Sequence, residues 1–223
     1  MWCVGILTEQ YQRWMCELVD HYARSWCVDE PVICEDERSK QLLGEGRPGL
    51  PIVPGTPVRG DYYQYVRSET SNVFVAVEPR GARPVTQVTD PRGKADFVAF
   101  VQYLVDTVYR SARRIHLVVN NLSNPCRVCI VQVHDAGAAH ALRHGIFPYT
   151  PKHAGWLNMA EIENSAIRCQ CPNRRIGDQD LFAKVVAAWQ KRCNAEHRTF
   201  QWTFTRQNAD RKLGRHYVSK LTG

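Results

Sequence analysis

A chain of 223 residues with 44% hydrophobic content can bury a full core, as one sizeable domain or one domain plus a short appendage. Its formal net charge of +7 and pI near 9.0 suit an anionic partner, either nucleic acid or a membrane surface. No apolar run reaches about 18 residues, which excludes an apolar transmembrane span of that length, and residues 1–8 are too short for a signal peptide, so the expected location is the cytoplasm.

Residues 8–24 read as an amphipathic helix capped by Thr8, with Tyr11, Trp14, Met15, Leu18, Val19 and Tyr22 on one face. Residues 31–36 read as a short buried strand. The glycines and prolines of 43–60 predict an ordered loop or arm. Two strands are expected next, at 61–68 and 72–78, then a weaker one at 85–89. Pro91 is expected to open a helix whose inner face is Phe97, Phe100, Val101, Leu104, Val105 and Val108. Residues 114–119 form an apolar strand of the sheet-centre kind. Residues 126–145 are expected to turn helical toward their end, and 146–150 to form a short strand. A helix follows at 157–170 with Met159, Ile162, Ala166 and Cys169 inward. Asp178 caps another helix, bearing Leu181, Phe182, Val185, Val186 and Trp189. Residues 199–217 read as a polar, basic tail. The order predicts an α/β class, a mixed sheet with helices on its faces.

Nine cysteines are expected to remain thiols in a reducing compartment. Cys126 and Cys129 form a CxxC and Cys169 and Cys171 a CxC. That spacing is poor for a zinc site, and buried or incidental thiols are the preferred reading.

Three features carry chemistry. Asp36 ends the first strand. Asn120 and Asn121 end the apolar strand at 114–119. The stretch Tyr149-Thr-Pro-Lys-His153 runs on to Gly155-Trp-Leu-Asn-Met-Ala-Glu161-Ile-Glu163. Each alone is weak, since a carboxylate at a strand end is more often a turn residue than a ligand. Geometry lets only one of Glu161 and Glu163 serve, because residues two apart on a helix point about 200° apart. Asn164, Ser165 and Arg168 share the side of Glu161, which makes that side the polar one. Asp36 points opposite to Glu35 and Glu37 by strand alternation.

In this order the three features resemble transposases of the Tc/mariner superfamily, specifically the bacterial insertion-sequence branch known as the IS six-thirty family. Residues 34–45 resemble its first catalytic block, 59–62 and 72–79 its next segment, and 149–163 its third and most specific block. Residues 168–176, 187–189 and 204–213 continue the similarity. The resemblance implies a ribonuclease-H-like catalytic domain at 31–198, led by a helix in 1–30 and followed by a basic tail at 199–223. It implies DNA strand cleavage and transfer by three acids with two Mg²⁺ ions, Mn²⁺ substituting. By position Asp36 is the first acid, Glu161 the third, and Asn120 stands where the second belongs. The implied partner is double-stranded DNA, as transposon ends and target, with no membrane and with a homodimer as an open option. The residues expected to face DNA are Lys152, His153, Trp156, Asn158, Arg168, Arg174, Arg175, Arg206, Arg211, Lys212 and Arg215.

The departures are specific. Asn120 is neutral, and two divalent ions need anionic ligands to offset their repulsion. Asn124-Pro125 replaces a usual Thr-His, and Glu35 puts a charge where an apolar residue is usual. Family members carry helix-turn-helix domains upstream of this region. These changes read as drift in a decaying element. They predict weak or absent catalysis, with a non-catalytic DNA-binding remnant as the alternative.

Overall fold

The computed structural model describes residues 7–46, 65–90, 93–120, 145–146, 150–151, 154–171, 175–197 and 199–217. Helix α1 (Glu9–Ala23) starts where the Thr8 hydroxyl accepts the Tyr11 amide at 3.2 Å, and it buries Met15, Leu18, Val19 and Tyr22. Strand β1 (Val32–Glu45) has 14 residues, far longer than its sequence reading. Its inner half is apolar, but Arg38, Ser39 and Gln41 are exposed and interrupt the pattern that would have revealed the rest. Strand β2 (Tyr65–Glu78) joins into one strand what the sequence split into two, pairing antiparallel with β1 across a register irregularity between Gln41 and Leu43. Strand β3 (Arg83–Thr89) pairs antiparallel with β2. Helix α2 (Lys94–Tyr103) begins after Gly93 and passes into a π-helical turn, Leu104–Val108. Strand β4 (Ile115–Val118) lies parallel to β1, and β5 (Gly145–Ile146) parallel to β4.

Among the described residues the sheet has five strands in the order β3-β2-β1-β4-β5. The two parallel strands follow the antiparallel hairpin on the far side of β1, so β1 is central. Alternation along the strands separates two faces. Ile33, Phe74, Ala76, Leu117 and Val119 pack against Phe100 and Leu104 of α2 and its π turn. On the other face Cys34, Val77 and Val118 meet Met15, Leu18 and Tyr22 of α1, while Leu42, Val73 and Val75 meet the later helices. These are α3 (Ala160–Gln170) and α4 (Gln179–Glu196); Asp178 caps α4 by accepting the Asp180 and Leu181 amides at 3.3 and 3.0 Å.

The segment read as a tail is built into this face. Residues 206–213 form α5 (Arg206–Leu213), and Trp202, Phe204, Ala209, Leu213 and Tyr217 pack on the α1 side of the sheet. Leu7 bridges to Tyr217 in parallel, its amide donating to the His216 carbonyl at 2.8 Å. The inner face of α3 also differs from expectation: Ala160, Glu163, Asn164 and Ile167 are buried, whereas Ile162 and Cys169 are exposed. Two polar residues occupy the buried face, so apolar spacing pointed to the wrong side. The arm expected at 43–60 is corrected at its start, since residues 43–45 belong to β1; residues 47–60, the start of the strand expected at 61–68, Pro91, residues 121–144, 147–149, Cys126 and Cys129 lie outside the described residues. No described helix is long and apolar enough to cross a membrane. The result is a mixed α/β sheet flanked by helices, with the strand order and directions of a ribonuclease-H-like domain.

Candidate active site

Central strand β1 carries Asp36 on the face shared with Cys34, where the α1 core gives way to the α3–α4 core. Parallel β4 ends beside it, and Asn120 follows that strand. The Asn120 Nδ2 donates to Asp36 Oδ1 at 2.7 Å, joining residues 84 apart in sequence. From α3, Asn164 Nδ2 donates to Asp36 Oδ2 at 2.6 Å. Both carboxylate oxygens therefore accept from an amide.

Glu161 lies at the start of α3, half-buried, with its Oε1 against Gly155; a Cβ at that glycine would come within 3.3 Å of it. Burial raises its carboxyl above the usual range, and the charge of Asp36 raises it further, against the opposing charge of Arg38. Asp36 is raised as well: burial outweighs the amide donors, the Glu37 backbone amide and Arg38. Asp36, Asn120 and Glu161 thus stand together on one side of the sheet. Glu163 instead is buried facing a cleft between α3 and α4 that Trp189 and Arg192 also line. Glu35 is buried too, and its neighbour's opposite orientation follows from strand alternation.

Asn120 is pinned on its other side. Its Oδ1 accepts from Thr150 Oγ1 and from Asn158 Nδ2, each at 3.2 Å. Asn158 also donates to the Glu35 carbonyl at 2.7 Å and accepts the Ala160 amide at 3.1 Å. With 1% of its surface exposed, Asn158 is an internal brace between β1, the end of β4 and α3, which corrects its assignment as a DNA contact. Sequence reasoning placed Asn164 merely on a polar helix side, and gave Thr150 no role. A short polar residue one turn after Glu161 is the signal that could have marked Asn164.

The remaining DNA-facing candidates divide. Arg168 is exposed on α3, and Arg175 is half-buried before α4. Trp156 is packed edge-on against Phe204, ring centres 5.4 Å apart, so much of it belongs to the core. Arg206 is held in a two-point ion pair with Asp20 of α1, and this partner corrects the picture of a free cation in a tail. Arg211 donates to Asn208 Oδ1 at 2.9 Å, Lys212 lies 5.9 Å from the Phe204 ring centre, and Arg215 donates to His216 at 3.0 Å. Lys152, His153 and Arg174 lie outside the described residues. Arg38, which the sequence reading passed over, is exposed on the strand face of Asp36. Among the cysteines of the CxC, Cys169 is exposed, and burial pushes the Cys171 thiol up to about 11.

Comparison with known proteins adds three findings. The family model described as DDE superfamily endonuclease matches residues 31–182. No curated protein matches the sequence. Among solved structures, the Mos1 mariner paired end complex with Mn is 13% identical with a TM-score of 0.48, covering 91% of this chain and 67% of that one. The Mos1 strand transfer complex has the same identity and TM-score, covering 90% and 67%. The mariner Mos1 paired end complex with Mg is 14% identical at a TM-score of 0.37, covering 90% and 66%. The chain spans about two thirds of the length of each of these. The family match takes in the strand of Asp36, the end of β4 and the helix of Glu161 alike, and by it this chain belongs to the DDE superfamily of endonucleases.

Proposed function

We propose that the chain is the catalytic domain of a DDE transposase of the bacterial IS six-thirty branch of the Tc/mariner superfamily, cutting and joining double-stranded DNA, with its chemistry impaired by Asn120. The catalytic unit is 31–198, flanked by 1–30 and 199–223. The observation that carries the reading is the meeting of Asp36 and Glu161 beside the end of β4, from three separate stretches of a chain that matches the DDE endonuclease model.

The donor set fits one divalent cation. Asp36 and Glu161 are hard oxygen ligands whose carboxyls are raised by burial, Glu161 also by the charge of Asp36; a divalent cation held by them would offset that repulsion. When bound, Mg²⁺ or Mn²⁺ supplies Lewis-acid activation of the attacking oxygen and stabilisation of the leaving oxygen. The set fits a second cation poorly. Asn120 presents amide hydrogens toward Asp36, and turning the amide over would forfeit the bonds its oxygen accepts from Thr150 and Asn158. A carboxylate at 120 would keep both of those donors and withdraw the hydrogens from Asp36. The pocket around position 120 is therefore suited to an acid that the sequence lacks.

Nicking of a DNA duplex in Mg²⁺ or Mn²⁺ tests this. The chain as it stands is expected near background and the Asn120→Asp variant clearly above it. Equal, robust activity in both would show the second acid to be dispensable and overturn the site assignment. Asn120 also favours a second reading, a non-catalytic DNA-binding remnant. Retained DNA binding with no activity gained by Asn120→Asp would select it.

A further inference from the structure

Asn164 sits one turn along α3 from Glu161, on the adjoining part of the helix surface. Its Nδ2 donates to Asp36 Oδ2 at 2.6 Å, a bond between residues 128 apart in sequence. The side chain is 2% exposed, and its Oδ1 has no hydrogen-bond partner among the described residues. The amide therefore ties the strand of one acid to the helix of the other, and leaves an unsatisfied acceptor within the same side chain.

We infer that Asn164 is a positioning residue of the cation site, fixing Asp36 relative to Glu161 through Nδ2 and offering Oδ1 to the hydration shell of the bound ion. The inference rests on the metal-dependent reading above. Two physical points support it. Losing a group that orients a metal-binding side chain typically costs about 10–100-fold in metal affinity. A buried acceptor without a donor is costly, and Mg²⁺ retains several waters whose hydrogens need acceptors. Asn120 cannot take this part, because its oxygen is already engaged by Thr150 and Asn158. Asn164 is the amide at Asp36 whose oxygen has no hydrogen-bond partner among the described residues.

The test uses the full chain carrying Asn120→Asp, with Mn²⁺ as probe and free Mn²⁺ measured by electron paramagnetic resonance. Asn164→Leu preserves volume while removing both polar atoms; Asn164→Ala carries the test should the leucine fail to fold. The dissociation constant for Mn²⁺ is expected to rise about tenfold or more in each, the usual cost of losing an orienting partner. Circular dichroism confirms that the variants are folded. A purely packing role would lower the thermal midpoint and leave Mn²⁺ affinity alone, so affinities equal to the parent in folded variants overturn the inference. If the Asn120→Asp parent binds Mn²⁺ and nicks DNA while the Asn164 variants bind equally well, this inference falls alone. If that parent binds no Mn²⁺, the metal-dependent reading falls and takes the inference with it.

Discussion

His116 is a single residue whose charging opposes the fold. It is buried in β4, and neither ring nitrogen has a hydrogen-bond partner among the described residues. Burial lowers its pKa, and the charges of Arg24 and His21 lower it further against the pull of Glu30, whose carboxylate is 3.8 Å from Nε2 and is also paired with Arg24 and Arg113. The folded state therefore keeps this imidazole neutral where the unfolded chain would protonate it. Stability is full above the ordinary histidine value and is lost as pH falls from there through the depressed folded value. Thermal midpoints between pH 7.5 and 5.5, on the order of the histidine range, should fall for the wild type and fall less for His116→Leu. Parallel profiles would assign the acid sensitivity elsewhere. At this scale motif order pointed to Asp36, Asn120 and Glu161, which the structure brings near one another. It could not reveal that Asn158 faces inward, because an asparagine reads as polar whether it meets water or braces a buried turn.

Elements were legible where apolar spacing was clean. Helices α1, α2 and α4 and strand β4 follow their hydrophobic faces to within a few residues. The hairpin of β1 and β2 was not, because its outer half holds exposed polar residues and is stabilised by backbone pairing and by one crossing segment. There the Leu43 amide donates to the Ile176 carbonyl at 2.9 Å, and Gly177 lies so close to Gly44 that a Cβ on Gly177 would be 2.6 Å from the Gly44 Cα. No side chain can be inserted at 177 without moving backbone. Gly177→Ala should cost about 1–3 kcal/mol in urea unfolding, the usual penalty of overpacking. Gly44→Ala is the control: its Cβ would find nothing nearer than 3.8 Å, and its midpoint should stay much closer to wild type. Equal losses at the two positions would mean that the crossing does not hold the hairpin. The helix α5 was missed for a different reason. Its own eight residues bury only Ala209, while the apolar anchors Trp202, Phe204 and Tyr217 flank it.

For the whole molecule, a net charge of +7 says only that an anionic partner is favoured; the structure sorts which cations are free to meet it. Arg206 is committed to Asp20, whereas Arg38 is exposed beside the acids with no ion-pair partner among the described residues. If DNA lies over the acids, Arg38→Ala should weaken binding uniformly across sequences and reduce the salt dependence of log K by about one phosphate contact. Arg206→Ala should leave that slope unchanged. A gel-shift titration over several salt concentrations separates the two, and a slope altered only by Arg206→Ala would reverse the assignment.

The ion pair of Asp20 with Arg206 spans 186 residues, and the core beneath it draws on Leu7, Met15 and Leu18 from one end and Ala209 and Tyr217 from the other. This has a consequence for synthesis. On the ribosome α1 emerges about 190 residues before the partners that complete its apolar surroundings. At about 5–20 residues per second, the nascent helix waits roughly 10–40 s with part of its greasy side uncovered. During that interval it is a client for chaperones and a nucleus for aggregation, and slower translation lengthens the exposure.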